Sequence, residues 1–300
     1  DYGCAPPYST ASFVNGIEPF KRVIDRKHKN AVSQRTIAVK PPKKRRRGSE
    51  TRVAVSARLE FRWEDAVLPK IMAFDAGKMK NSFAVCVAHL DENGELSYDA
   101  FVEIRPRHNK PVSFNRVYDD VLVPLVKRMN VRVCISDRWQ HEKIVGDLDE
   151  NYGVIHFPHT LKYGEFQAWR DDLLQGRFTM PRPECTAKEI LNVEGSEEEA
   201  FDDRPVAQFV RQSIRVVDVP GRTVDKPSIG NDDVFRVGVL AHAGVQLPEV
   251  LEILSAGDVS RRGSGGVGAV ATGSGGVSNS LRAGNSGVAA TASNGSASLR

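Results

Sequence analysis

Between Lys70 and Pro106 the hydrophobic residues fall into three short runs. IMAFDAG (71–77) is apolar until an aspartate and a glycine break it, SFAVCVAHL (82–90) is almost continuously apolar, and LSYDAFVEIRP (96–106) alternates with a period of two after the turn DENGE. Runs of this length bounded by turn residues predict strands, and their short connections predict an antiparallel trio. The period then changes. Ser113 is placed to cap a helix through FNRVYDDVLVPLVKRMN, in which Pro124 predicts a kink or an early end, and VRVCISD (131–137) follows as a strand. A helix (RWQHEKIVGDL), a strand (VIHFP), a helix (EFQAWRDDLLQGR) and the short run FTMP continue the alternation. CTAKEILNVEGSEEEAFDDRPVAQFVRQSI predicts two helices around an acidic loop, RVVDVPGRTVDKP a hairpin, and NDDVFRVGVLAHAG a last helix. Three strands followed by alternating helices and strands predict an α/β fold with a mixed sheet flanked by helices.

The flanks have a different composition. The first seventy residues are polar, basic and proline-containing, and only TRVAVSARLEFRW alternates well enough to predict a hairpin or an edge strand. From Asp258 to Arg300 the chain reduces largely to Gly, Ser, Ala, Val, Asn and Thr without an aromatic residue, which predicts a disordered tail. The expected organisation is therefore a linker over 1–51, a folded domain over 52–250 and a disordered tail over 258–300. The 300 residues are 40% hydrophobic and 27% charged, as expected of a globular chain, and the net charge of +4 is modest. Its distribution is not even: seven cations crowd the thirteen residues from Lys40 to Arg52, which points to a polyanionic partner. Cys4, Cys86, Cys134 and Cys185 are widely spaced and form no CxxC pair, the pattern of a reducing compartment. No stretch approaches the length of an apolar membrane span, and neither a signal-peptide core nor an initiator methionine opens the chain. The expectation is a soluble cytosolic piece of a longer protein, with no membrane partner.

Chemistry concentrates where apolar runs end in acids. Asp75 closes IMAFD, Asp137 closes VCISD, and Asp232 and Asp233 open the last helix. A buried parallel strand delivers a terminal carboxylate to the rim where α/β proteins bind ligands, and a helix N-terminus favours negative charge. Carboxylates converging from three elements suit hard divalent cations, and two such ions activate water on a phosphodiester. Each acid taken alone also serves as an ordinary turn former or helix cap, so the weight lies in their joint arrangement.

FDAG, CISD and DKPSIGNDDVFRVGVLA resemble, in order and spacing, the acidic motifs of the RNase H-like nuclease domain of phage terminase large subunits, the DNA-packaging motor. DYGCAPPYSTASF resembles the chain leaving the ATPase domain of those proteins, and YGEFQAWRDDLLQGRFTMP the helix and strand between the second and third acids, so the likeness spans about residues 1–245. The resemblance implies an RNase H-like mixed sheet and a metal-dependent endonuclease that cuts concatemeric double-stranded DNA during genome packaging. It further implies two Mg2+ or Mn2+ ions held by Asp75, Asp137 and one or both of Asp232 and Asp233, with Asp75 bridging them. The implied partners are DNA, the portal protein and the small terminase subunit, and the implied location is the host cytoplasm. No Walker A or Walker B segment is present, so the resemblance places the motor half upstream or on another chain.

The run Lys43, Lys44, Arg45, Arg46 and Arg47 fits a nuclear address or a grip on phosphate, and beside these acids it reads as a linker laid along DNA. Lys78, Lys80, Arg138 and His141 follow the first two acids and are candidates for flanking-phosphate contacts, although exposed loop cations are usually just solvated. His141, His156, His159 and His242 lack the spacing of a zinc site, and no G-x-S-x-G elbow supports acyl transfer. Two alternatives stand beside the packaging nuclease: a junction resolvase or recombinase on the same fold, and a non-catalytic DNA-binding module whose acids are structural.

Overall fold

The alternation read in the central strands sorts their side chains onto two faces, and each face has its own core in the computed structural model. Ile71, Ala73, Val133 and Ile135 enter one apolar cluster, while Met72, Phe74, Ala76 and Cys134 enter the other. The described residues are 11–39, 53–65, 67–77, 81–107, 110–137, 142–192, 204–219, 223–226 and 230–262.

In chain order these form β1 (Ala11–Ser12), α1 (Phe20–Val23), β2 (Ile24–Lys29), β3 (Val32–Val39), β4 (Ala54–Phe61), β5 (Lys70–Ala76), β6 (Phe83–Leu90) and β7 (Leu96–Ile104). There follow α2 (Phe114–Val117), a π-helical turn (Tyr118–Leu122), α3 (Val123–Met129), β8 (Val131–Ser136), α4 (Glu142–Tyr152), β9 (Ile155–Pro158), α5 (Tyr163–Gln175) and β10 (Phe178–Arg182). The last elements are α6 (Ala187–Asn192), α7 (Pro205–Arg215), β11 (Val217–Val219), β12 (Thr223–Asp225), α8 (Asp233–Gly244) and α9 (Pro248–Arg262).

The main sheet runs β2-β10-β7-β6-β5-β8-β9. β5, β6 and β7 pair antiparallel as the short connections predict, and β8 and β9 add in parallel beyond β5. Around Pro124 the chain stays helical, with the wider π turn directly before it. That is one way to accommodate a residue with no N–H to give the preceding turn.

Residues 11–39, read from sequence as linker, instead build part of the domain. β2 closes one sheet edge beside β10, and Phe13, Val14, Phe20 and Val23 are buried in the α5–α8 cluster. Polar alternation concealed this because only one face of an edge element needs to be apolar. Within TRVAVSARLEFRW lies β4, Ala54–Phe61, the second strand of a hairpin with β3, and the basic run lies in the chain between the two. β10 pairs with β7 rather than extending the sheet past β9. α9 adds a helix past the predicted last one, reaching Arg262, and residues 263–300 lie outside the described residues.

α8 lies between the sheet and helices α5 and α7 and is buried nearly all round, as its apolar circumference requires. Its approach is close: a Cβ on Gly244 would stand 2.7 Å from Ile71 Cδ1. Trp169 Nε1–H donates to the Tyr98 hydroxyl (3.2 Å), which donates to the Gly238 carbonyl (2.9 Å), so the aromatic core under α8 has its polar atoms paired.

The β5–β6 turn depends on Gly77. Its N–H donates to the Ser82 carbonyl (3.0 Å), and a Cβ there would overlap the backbone carbonyls of Asn81 and Ser82. Gly77→Ala should therefore destabilise the chain by at least about 2 kcal/mol, well above the effect of an ordinary surface change. Thermal melting checks this, and an unchanged midpoint would refute it.

Candidate active site on the sheet rim

Strand register brings the acids together. Asp75 on β5 stands opposite Ala84 on β6, and Ala84 stands opposite Glu103 on β7. On the other side Phe74 is level with Ser136 of β8, so Asp137, one residue further, comes level with Asp75. Ile71 and Ala73 lie in the α8 cluster, as do Val133 and Ile135, and the same period of two turns Asp75 and Asp137 toward α8.

The N-terminus of α8 docks onto this rim. The Ser82 backbone N–H donates to Asp233 Oδ2 (2.6 Å), the Ser82 hydroxyl donates to Glu103 Oε1 (3.0 Å), and Asn231 Nδ2 donates to the Ser82 hydroxyl (3.3 Å). Asp232, one residue before, accepts from Arg236 Nε. The Arg236 guanidinium also reaches the Val224 carbonyl (3.3 Å) and lies over the Phe166 ring (5.7 Å). Asp137 is exposed and accepts from the Thr160 hydroxyl (2.8 Å).

Among the described residues, Arg236 is the cation that acts on Asp75 and pairs with Asp232. Burial pushes the Asp75 carboxyl up to about 6; the Arg236 charge pulls it down, and the charges of Asp232 and Asp137 push it up again. Asp233 is pushed up to about 8, first by burial and then by the charge of Asp75, against the downward pull of the Ser82 N–H and with Glu103 and Asp232 adding to the rise. At the opposite end of β5 the buried Lys70 ammonium is shared by Asp65 (2.9 Å) and Asp99 (3.1 Å), and Asp99 also meets His89 (2.8 Å).

Numbered from β5, the five strands β5 to β9 lie in the order 3-2-1-4-5, the second antiparallel to its neighbours. This is the RNase H-like fold. Its first and fourth strands carry Asp75 and Asp137 at adjacent ends, and α8 brings Asp232 and Asp233 to the same rim.

Among solved structures, the chain is similar to the large terminase nuclease from thermophilic phage G20c with bound magnesium, at 12% identity and a TM-score of 0.44 over 79% of this chain and 98% of that one. It is similar to the HK97 bacteriophage large terminase at 13% identity and a TM-score of 0.41, over 60% of this chain and 40% of that one. The P22 large terminase nuclease domain follows at 14% identity and a TM-score of 0.38, over 59% and 81%. No family model and no curated protein matches the sequence.

All four acids expected at the RNase H-like site interact electrostatically on this rim. Among the described residues, no three His, Cys, Asp or Glu side chains are gathered tightly enough to enclose a metal ion, and Asp137, Asp232 and Asp233 each accept from a protein partner. The donor set still suits a hard cation, because a carboxylate accepting one hydrogen bond keeps lone pairs for another ligand. Lys43 to Arg47, Lys78, Lys80, Arg138 and His141 lie outside the described residues. His156 bonds Ser136 (2.9 Å) and His159 bonds Glu165 (2.8 Å), while His242 bonds Asp172 (2.8 Å), so these three histidines serve separate local contacts.

Three participants were not singled out from sequence. Ser82 gives no signal, since its role is set by neighbours distant in the chain. Glu103 carries one, an acid within the buried strand YDAFVEI, and it is only 2% exposed. Arg236, four residues after Asp232, has the spacing of a helical ion pair. Among the described residues no single helix is long and apolar enough to cross a membrane.

Proposed function

We propose that this chain is a metal-dependent DNA endonuclease, the nuclease domain of a viral terminase large subunit that cleaves concatemeric duplex DNA during packaging. The observation that carries this reading is the convergence of Asp75, Asp137, Asp232 and Asp233, from two neighbouring strands and a helix start, on one rim where each feels the charge of another. Mg2+ or Mn2+ bound there, as one ion or a pair, supplies an activated water and stabilises the leaving oxygen of a phosphodiester.

The residues divide the remaining work. Asp75, level with Asp137 and electrostatically coupled to both members of the α8 pair, is the carboxylate best placed to be shared between ions. Asp233 is held from behind by Ser82, and Asp232 is oriented by Arg236, whose charge also lowers the cost of ionising Asp75 before a cation arrives. Glu103 is buried at the far end of the row and anchors Ser82 rather than facing the rim opening. Lys78 and Arg138, next in sequence beyond the acids, are proposed to contact flanking phosphates. The portal protein and the small terminase subunit are the proposed partners, and the host cytoplasm the proposed location.

The test is cleavage of plasmid and of linear duplex by the wild type and Asp75→Asn in Mg2+ or Mn2+. A wild type that leaves both intact with either ion sinks the reading. Cutting confined to four-way junctions would assign the rim to junction resolution instead.

The run Lys43 to Arg47 is proposed to lie along the DNA backbone. Replacing all five with glutamine should flatten the slope of log affinity against log salt by up to about 4.5, because each neutralised phosphate contributes about 0.9. An unchanged slope in an anisotropy titration would return the run to solvent.

A further inference from the structure

The β3–β4 hairpin stands at the rim as an arm with an unbalanced outer face. Its inner face buries Val32, Gln34, Val55 and Ala57, and its opposite face carries the cross-strand pairs Ser33–Glu60, Arg35–Arg58, Ile37–Ser56 and Val39–Ala54, of which Ser56 is itself buried. Arg35 and Arg58 are both exposed, directly opposite one another, and neither has an acidic partner among the described residues. Like charges in that relation repel, and Glu60, one pair toward the root, is the only acid in the two strands.

The arm's height is set by two amide side chains that stand in for a strand along β7. Asn30 Nδ2 donates to the Phe101 carbonyl (3.0 Å) and Asn30 Oδ1 accepts from the Phe101 N–H (2.9 Å). Gln34 repeats the exchange with Glu103, donating to its carbonyl (2.6 Å) and accepting from its N–H (2.9 Å). Gln34 is thus tied to Glu103, in the row that contains Asp75, and Arg35 follows one residue further along the arm. On the other strand, the Val55 N–H donates to the Pro111 carbonyl (2.9 Å) and the Ser113 N–H to the Val55 carbonyl (2.8 Å), which ties the arm to the segment after Arg105, Arg107 and Lys110. Three strand spacings, two from Asp75 to Glu103 and one to β3, put Arg35 about 15 Å from Asp75, and Arg58 on β4 stands about one spacing further. At 3.4 Å per base pair the two arginines lie about four to six base pairs along a duplex.

We propose that the outer face of this hairpin binds the sugar-phosphate backbone of duplex DNA beside the cut, with Arg35 and Arg58 relieving their mutual repulsion on shared or neighbouring phosphates. The proposal rests on the reading that the rim cleaves duplex DNA, and it assigns to described residues a grip distinct from the acids.

Arg35→Gln/Arg58→Gln should lower the slope of log affinity against log salt by about 2 and weaken binding of a short fluorescent duplex about tenfold near physiological salt. If the double variant melts early, Arg35→Gln and Arg58→Gln singly should each lower the slope by about 1. A slope equal to that of the wild type in every variant overturns the proposal, even if the wild type cuts DNA. A wild type that binds with the expected slope difference but cuts nothing overturns the nuclease reading and leaves the grip standing. Failure of the wild type to bind duplex DNA overturns both.

Discussion

Asp75→Asn should leave the chain folded and lower Mg2+- or Mn2+-dependent cleavage of duplex DNA by at least about 10³-fold, equivalent to roughly 4 kcal/mol of transition-state stabilisation. Asparagine keeps the shape of the side chain but loses the charge that a hard cation needs from it. The position is central. Asp75 is level with Asp137, coupled to Asp232 and Asp233, and faces α8, so no neighbouring carboxylate replaces it without moving a strand. Folding should not suffer, because the wild-type carboxyl is buried among like charges and its removal relieves repulsion. A thermal midpoint at or above that of the wild type at neutral pH, with cleavage lost, is the expected pair of results. Cleavage within tenfold of the wild type would favour the reading in which these acids are structural.

The second large effect is on stability against pH. Asp75, raised to about 6, and Asp233, raised to about 8, hold protons in the folded state at pH values where the unfolded chain has released them. Their contribution to stability is therefore fully present below about pH 4 and is lost as pH rises through 6 and then 8. At about 1.4 kcal/mol per unit of displacement, Asp233 alone accounts for a loss on the order of 5 kcal/mol between pH 4 and pH 8.5. Asp233→Asn, which can still accept from the Ser82 N–H, should melt with the wild type near pH 4 and progressively above it toward pH 8.5. Mg2+ should narrow that gap by stabilising the ionised wild type through its differential binding to the folded state. A gap that stays constant across this range would show that Asp233 titrates normally.

Both expectations involve residues visible in the sequence, for a local reason. An apolar run that stops at an acid reports a strand end, and an Asn-Asp-Asp before an apolar helix reports a helix start, so Asp75, Asp137, Asp232 and Asp233 could be placed on their elements from neighbouring residues alone. The antiparallel order of β5 to β7 was legible for the same reason, since connections of a few residues leave an adjacent strand little choice but to turn back.

Other features have no local signature. Phe13 and Phe20 stand in a polar segment yet pack against Phe166 and Trp169 across the molecule. β10 pairs with β7 because β2 then closes beside it, a choice among sheet edges that hydrophobic period does not encode. The basic run looked like a linker because nothing within it shows that the strands on either side, β3 and β4, pair in register.

By itself the sequence determined which residues alternate in the central strands, where the apolar runs of that region stop, and which acids sit at those ends, because these follow from side-chain period and turn chemistry within a few residues. Only the tertiary structure decided that Ser82 bonds Asp233, 151 residues away, that Glu103 closes the acid row, and that Gln34 ties the hairpin carrying Arg35 and Arg58 to Glu103. Those facts depend on register and edge pairing between distant segments, where a shift of a single residue would turn each side chain to the opposite face.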